Sequence, residues 1–176
     1  MVIAGAGSGK TRVLTYRIAN LISKGIDPFN LLALTFTNKA AKEMRERINQ
    51  LIGSEAQNLW MGTFHSIFSK ILRFESDKLN YPQNFTIYDS TDSKNLIKSI
   101  VKELNLDKDL YKPNVILGRI SSLKNNLISY KAYMSDSTLQ AEDASRKLNE
   151  MAMVYRTYQN RLFTSGSMDF DDLLFN

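Results

Sequence analysis

The sequence predicts an α/β protein, a parallel sheet of strand–helix units with an all-helical subdomain inserted into it. Three observations carry this. A short apolar run, Val2–Ile3, leads into glycines at positions 5, 7 and 9 and then into an amphipathic segment. Compact apolar runs of strand length alternate with helical periodicity as far as residue 84. From Asp89 to Gly166 the apolar residues recur at three- and four-residue steps almost throughout.

The first helix is predicted over Lys10–Lys24, with Val13, Leu14, Ile18, Leu21 and Ile22 as its apolar pattern and Gly25 as a left-handed cap. Asp27–Pro28 makes a turn. Leu31–Phe36 is a continuous apolar run that suits a buried parallel strand. A second helix follows over Lys39–Ile52, burying Ala41, Met44, Ile48 and Leu51, and Gly53 ends it. Residues 58–64 form a third strand, and Ile67, Phe68, Ile71 and Leu72 lie on one side of the helix after it. Strand–helix units in this order require right-handed crossovers and a parallel sheet.

The character changes near Tyr81–Pro82. Asp89, Ser90 and Thr91 offer N-cap oxygens for a helix burying Leu96, Ile97, Ile100, Val101 and Leu104. Pro113 opens the next helix, with Ile116, Ile120, Leu123 and Leu127 on its stripe. Leu148, Met151, Tyr155, Tyr158 and Leu162 step along a last long helix ending near Gly166. The division expected is 1–84 for the first part of the α/β domain, 85–166 for the helical subdomain, and 167–176 for the return into the α/β domain.

Strand, glycine loop and helix in succession are the context of a P-loop, here Ala4–Gly5–Ala6–Gly7–Ser8–Gly9–Lys10–Thr11. Glycines allow backbone N–H groups to turn inward around phosphate oxygens. The following helix N-terminus adds its unpaired N–H groups and positive dipole end. Lys10 can reach the β- and γ-phosphates of a nucleoside triphosphate, and the Thr11 hydroxyl can ligate Mg²⁺. The first glycine of the usual pattern is replaced by Ala4, a position that needs only a small side chain.

Composition narrows the class. The chain has 176 residues, no cysteine and one histidine, His65, so disulfides, thiolate metal sites and histidine-rich metal sites are excluded, and a reducing cytoplasm is compatible. No run approaches the ~20 apolar residues of a membrane span. The net charge is +5, and residues 1–84 hold all of that excess: 11 Lys and Arg against 6 Asp and Glu, while residues 85–176 hold 12 of each. A basic P-loop half favours a polyanionic partner, though weakly.

Ligands of open parallel sheets gather at the carboxyl ends of the strands. Thr35–Phe36–Thr37–Asn38–Lys39 ends the second strand, and Gly62–Thr63–Phe64–His65–Ser66 ends the third. Each joins an aromatic ring to small hydrogen-bonding groups, a pairing that suits stacked bases and the phosphates of a single strand. By composition alone the better fit is core positions at strand ends for Phe36 and Phe64, with His65 a structural histidine.

Taken together, Ala4–Arg12, Thr35–Ala41 and Gly62–Ser66 closely resemble motifs I, Ia and Ib of superfamily 1A DNA helicases, nearest the UvrD/Rep/PcrA branch, and Asp169–Phe170–Asp171–Asp172–Leu173–Leu174 resembles the segment by which that family re-enters its motor domain. The resemblance implies a RecA-like P-loop NTPase domain (1A) carrying a helical insertion (1B), and an ATP-driven translocase moving 3′ to 5′ on DNA in the cytoplasm. By the same resemblance Ala4 to Thr11 bind ATP, Lys10 and Thr11 serve catalysis, and Thr11 holds Mg²⁺. Arg12 lies near the base or ribose, and Arg47 approaches the nucleotide. Phe36, Thr37, Asn38, Thr63, Phe64 and His65 line a single-strand track. Single-stranded DNA, strand junctions, repair proteins and the remainder of a helicase chain are the partners implied.

Both ends of the sequence look cut. The family's glutamine motif is expected upstream of residue 1. Its Walker B acids are expected downstream of Asn176, and its arginine fingers in a second motor domain. Asp169, Asp171 and Asp172 are expected to start a helix, with no apolar strand before them. Two other readings stay open at this stage, a helicase–nuclease of the RecB or AddA kind and a P-loop ATPase that does not act on nucleic acid.

Overall fold

A computed structural model describes Gly5 and residues 7–176. The protein mixes helices with short parallel sheets and divides into two compact units, one reaching to Lys70 and one running from Ile71 to Asn176.

In the first unit, α1 (Lys10–Ser23) is followed by β1 (Leu32–Thr35), α2 (Asn38–Ile52), β2 (Trp60–Thr63) and the start of α3 (Phe64–Phe74). β1 and β2 pair in parallel, Leu32 beside Trp60 and Thr35 beside Thr63, with α2 as the crossover between them. Ile18 and Ile22 of α1, Ala33 of β1, Met44 and Ile48 of α2 and Met61 of β2 make one core. The sequence pattern needs two corrections here. On α1 the buried side is Thr15, Ile18 and Ile22, while Val13 and Leu14 are exposed. On α2 Leu51 is exposed, and Ile52 takes its place against the core because it continues the stripe through Met44 and Ile48 at a four-residue step.

In the second unit β3 (Thr86–Tyr88), α4 (Ser90–Glu103), α5 (Pro113–Asn125), α6 (Tyr130–Ser135), α7 (Ser137–Ser145), α8 (Met151–Thr164), β4 (Ser167–Asp169) and α9 (Asp172–Phe175) follow in order. Asp89 caps α4 in a reciprocal box with Asp92: its carboxylate accepts from the Thr91 and Asp92 N–H groups, and that of Asp92 accepts from the Asp89 N–H. Pro113 occupies the first turn of α5, as its fixed φ and missing N–H favour. Ile97, Ile100, Ile116, Ile120, Met151, Tyr155, Tyr158 and Leu162 interlock as the helical core. Leu127 departs from its predicted stripe and is 74% exposed. The helix ends two residues earlier, in a Schellman turn: the Leu127 N–H donates to Lys124 O and the Ile128 N–H to Leu123 O, at 2.8 and 2.9 Å, with Leu127 itself at φ 58°. Ile128, not Leu127, then packs on the core.

β4 was not legible as a strand, because Ser167–Met168–Asp169 has no apolar run. It forms by pairing in parallel with β3, Thr86 beside Ser167 and Tyr88 beside Asp169, and all three of its residues are buried. The strand before residues 171 and 172 is not an apolar one, and Asp169 ends it instead of starting a helix. Asp172 starts α9, as the sequence indicates.

Candidate nucleotide and nucleic-acid site

The glycine loop closes on one carbonyl. Ser8 Oγ and Lys10 Nζ each donate to Gly5 O at 2.7 Å, and the Ser8 N–H points at the same oxygen. Gly7 and Gly9 have φ of 76° and 80°, a left-handed conformation that costs any residue with a β-carbon about 1–2 kcal/mol. A β-carbon on either would meet nothing within 4 Å, so the backbone angle rather than lack of space demands glycine. α1 begins at Lys10 directly after Gly9, so its first-turn N–H groups, which have no intrahelical acceptor, follow the loop without a break. Gly5, Gly7, Ser8, Gly9, Lys10 and Thr11 are all exposed. Ala4, Ala6 and the predicted strand at Val2–Ile3 lie outside the described residues.

Arg12 and Arg47, singled out separately in the sequence, come together. With Thr15 and Tyr16 of α1 and Gln50 and Leu51 of α2 they line a cleft of about 390 Å³. The Arg12 guanidinium lies 5.7 Å from the centre of the Tyr16 ring, and Arg47 is 4.0 Å from Glu43. Tyr16 was legible in principle, being one helical turn from Arg12.

The strand-end motifs also meet. Pairing of Thr35 with Thr63 brings the two chains side by side just before Phe36 and Phe64. The ring centroids of these two are 5.4 Å apart at an angle of 40°, within the range of aromatic pairs. Phe36 is 90% exposed, which excludes the core role, while Phe64 is half-buried. Thr37 caps α2 by accepting from the Ala40 N–H at 3.1 Å, and Asn38 opens that helix on its exposed side. Thr63 Oγ1 accepts from the Ser66 N–H, and Ser66 Oγ returns a bond to Thr63 O at 2.9 Å. His65 is exposed in the same turn. The result is an exposed aromatic step flanked by hydroxyl, amide and imidazole groups.

Two supporting residues carry no sequence signal of their role. Arg45 of α2 donates to Met61 O at 2.7 Å, tying the helix that begins with one motif to the strand that ends in the other. At Gly62 an added β-carbon would lie 2.6 Å from Ser66 Oγ and 3.2 Å from Ile67 Cγ1, because α3 turns back over the strand at once.

The carboxylates at 169 and 172 lie in the second unit and are structural. Lys124 Nζ sits 2.8 Å from Asp169 Oδ2 and 2.7 Å from Asp172 Oδ1, and all three side chains are buried. Tyr158 OH donates to Asp169 Oδ2 at 2.9 Å and Gln159 Nε2 to Asp172 Oδ1 at 3.1 Å. The Asp172 N–H bonds Asp169 Oδ1, and the Asp169 N–H bonds Asp172 Oδ2. Burial, with Asp169 adding to it against the pull of Lys124, raises the Asp172 carboxyl to about 6. Burial first, then the charge of Asp169, pushes the Tyr158 phenol up, so it remains a donor.

Among the described residues no group of three or more His, Cys, Asp or Glu could hold a metal. A Mg²⁺ ion that takes most of its ligands from phosphates and water needs no such group, and an exposed Thr11 beside the loop suits that mode.

A glycine loop at a helix N-terminus shares one unit with paired strands that end at an exposed Phe36 and a half-buried Phe64. The family profile described as the UvrD/REP helicase N-terminal domain matches residues 1–176, and the chain belongs to that family. It is 46% identical over 180 residues to the ATP-dependent DNA helicase PcrA of Staphylococcus epidermidis, covering 99% of this chain and 23% of that protein. Against the protein of the same name from Staphylococcus aureus it is 46% identical over 175 residues, with the same coverage. The chain thus spans about a quarter of the length of these relatives.

Proposed function

We propose that these residues are the ATP- and single-strand-binding part of an ATP-dependent DNA helicase that moves 3′ to 5′, acting on single strands and strand junctions in DNA repair. Residues 1–84 and 167–176 belong to its RecA-like domain 1A, and residues 85–166 form the inserted domain 1B. The observation that carries the reading is the Thr35–Thr63 pairing, which sets Phe36 against Phe64 at an exposed strand end in a unit that also holds the glycine loop.

In this reading the N–H groups of Gly5 to Thr11 hold the triphosphate, and Lys10 leaves Gly5 O to meet the β- and γ-phosphates. The Thr11 hydroxyl would hold Mg²⁺, and the metal would supply charge neutralisation there. Arg12 and Arg47 flank the base and sugar in their cleft. Phe36 and Phe64 stack bases, while Asn38, Thr63 and His65 hold the strand and Thr37 keeps the α2 end in place. Membership of a helicase family and 46% identity to PcrA proteins support the DNA-directed reading over an ATPase without nucleic acid. Water activation and the cations on the departing phosphate come from outside residues 1–176, so this stretch alone does not turn over ATP.

The test is phosphate release by the full-length protein with and without single-stranded DNA. Strand-stimulated turnover that Lys10→Ala abolishes is expected. Turnover that is indifferent to single strands, or to Lys10→Ala, refutes the assignment.

A further inference from the structure

The second unit carries a feature that the motor reading does not use. Lys98 and Lys102 of α4, one turn apart, and Lys108 of the following loop surround a cavity of about 390 Å³ whose walls are Val101, Tyr111 and Pro113. Residues 85–176 are neutral overall, so this clustering is local. Two of the neighbouring acids are engaged elsewhere. Glu103 pairs with Arg161, and the Asp107 carboxylate accepts from the Asp109 and Leu110 N–H groups. Among the described residues none of the three lysines has an ion-pair partner. The floor is rigid: Tyr111 is 4% exposed, and its hydroxyl accepts from the Glu150 N–H at 2.9 Å.

We infer that this cavity is a docking site for an acidic peptide segment of a partner protein, one that places an aliphatic side chain in the pit and carboxylates against the lysine rim. The volume lies at the lower end of the roughly 300–1,000 Å³ of ligand pockets, room for a side chain or two. An aliphatic anchor matches walls made of Val101, Pro113 and lysine stems, whose methylenes cover apolar surface while their ammonium groups stay in water. Nucleic acid matches less well. Phosphates satisfy the rim but leave the pit empty, and a base needs an open aromatic face, which a Tyr111 that is 4% exposed does not present. The three ammonium groups steer an acidic segment and fix its register, and the pit supplies the selectivity.

The experiment uses the full-length protein and a fluorescein-labelled peptide carrying two leucines between paired aspartates and glutamates, read by fluorescence anisotropy. Binding is expected, weakening as salt rises. Lys98→Glu with Lys102→Glu should lower affinity at least about tenfold, by removing two attractive charges and adding two repulsive ones. Replacing the leucines of the peptide by serine should cost about 10–100-fold, the worth of a buried aliphatic side chain. Circular dichroism and unchanged strand-stimulated phosphate release show that the variant protein is folded. Absence of binding, equal binding by the variant, or equal binding of the serine peptide each overturns the inference. So does competition by a DNA duplex whose own affinity falls with the same charge reversals while the serine peptide still competes, since the patch is then a phosphate contact.

Discussion

Replacing Lys124 by Met removes the one cation from a buried cluster that holds two carboxylates. Lys124 is 2% exposed, and the ammonium group is the shared partner of Asp169 and Asp172 at 2.8 and 2.7 Å. Methionine matches the stem but leaves the carboxylates facing each other in a dry site. Breaking a buried pair by removing one partner costs about 3–5 kcal/mol. For a domain of this size that corresponds to a fall in Tm of roughly 6–20 °C, at about 2–4 °C per kcal/mol. The pH dependence gives a sharper test. The Asp172 carboxyl is raised in the folded protein to about 6 from 3.8, so its contribution to stability is fully present below pH 3.8 and is lost as pH rises through about 6. Lys124 opposes that rise, so removing it pushes the carboxyl higher still. Urea unfolding followed by circular dichroism at pH 5 and pH 7.5 should therefore show a smaller loss at pH 5, where a proton replaces the missing cation. A loss under about 1 kcal/mol at pH 7.5, or an equal loss at both pH values, refutes the reasoning.

Three further outcomes follow from the geometry. Phe36→Ala should weaken single-strand binding by about 1–3 kcal/mol, the worth of one base–aromatic stack, with little change in Tm because the ring is 90% exposed; Phe64→Ala should cost both affinity and stability. Titration with labelled single strands at fixed salt, beside a thermal melt, separates the two effects. Gly62→Ala should lower stability by about 1–3 kcal/mol through overpacking against Ser66 and Ile67, and a denaturant melt reads it. Leu127→Gly should raise stability by about 0.5–1 kcal/mol, since an exposed left-handed leucine loses strain and little packing, and the same melt shows the sign.

The parts of the fold readable from the sequence are those where one local pattern suffices. α1, α2, α4, α5 and α8 stand close to their expected spans because stripes, caps and glycines agree along each. Pairing was harder. β4 has no apolar run and exists through β3, over 70 residues earlier, so no window along the chain reveals it. The Leu127 error has a similar origin, since the helical repeat continues in the sequence past the point where the backbone turns left-handed. In the site, the glycine loop and both aromatic motifs were legible, and Arg12 and Arg47 were named without any sign that they share a cleft. Arg45 and Lys124 were not, because a positively charged residue on a helix reads as solvated surface until its acceptor is known. Asp169 and Asp172 were visible as acids, but the three-residue spacing that lets them cap each other gave no warning of the buried lysine that α5 brings to them.

β2 ends at Thr63 and α3 begins at Phe64, with no connecting residue between strand and helix. The junction therefore has no slack to absorb a change in chain length. One residue inserted there would rotate everything beyond it by about 100° about the helix axis, swinging Ile67, now 2% exposed, out of its packing and turning His65 away from the end of the strand. One residue deleted would do the same in the opposite sense. Length variation in this protein should then gather in the turns around Gly25 and Gly53 and in the loop from Asn105 to Lys112, and spare the step from strand to helix, where the reading frame of the fold has no spare letter.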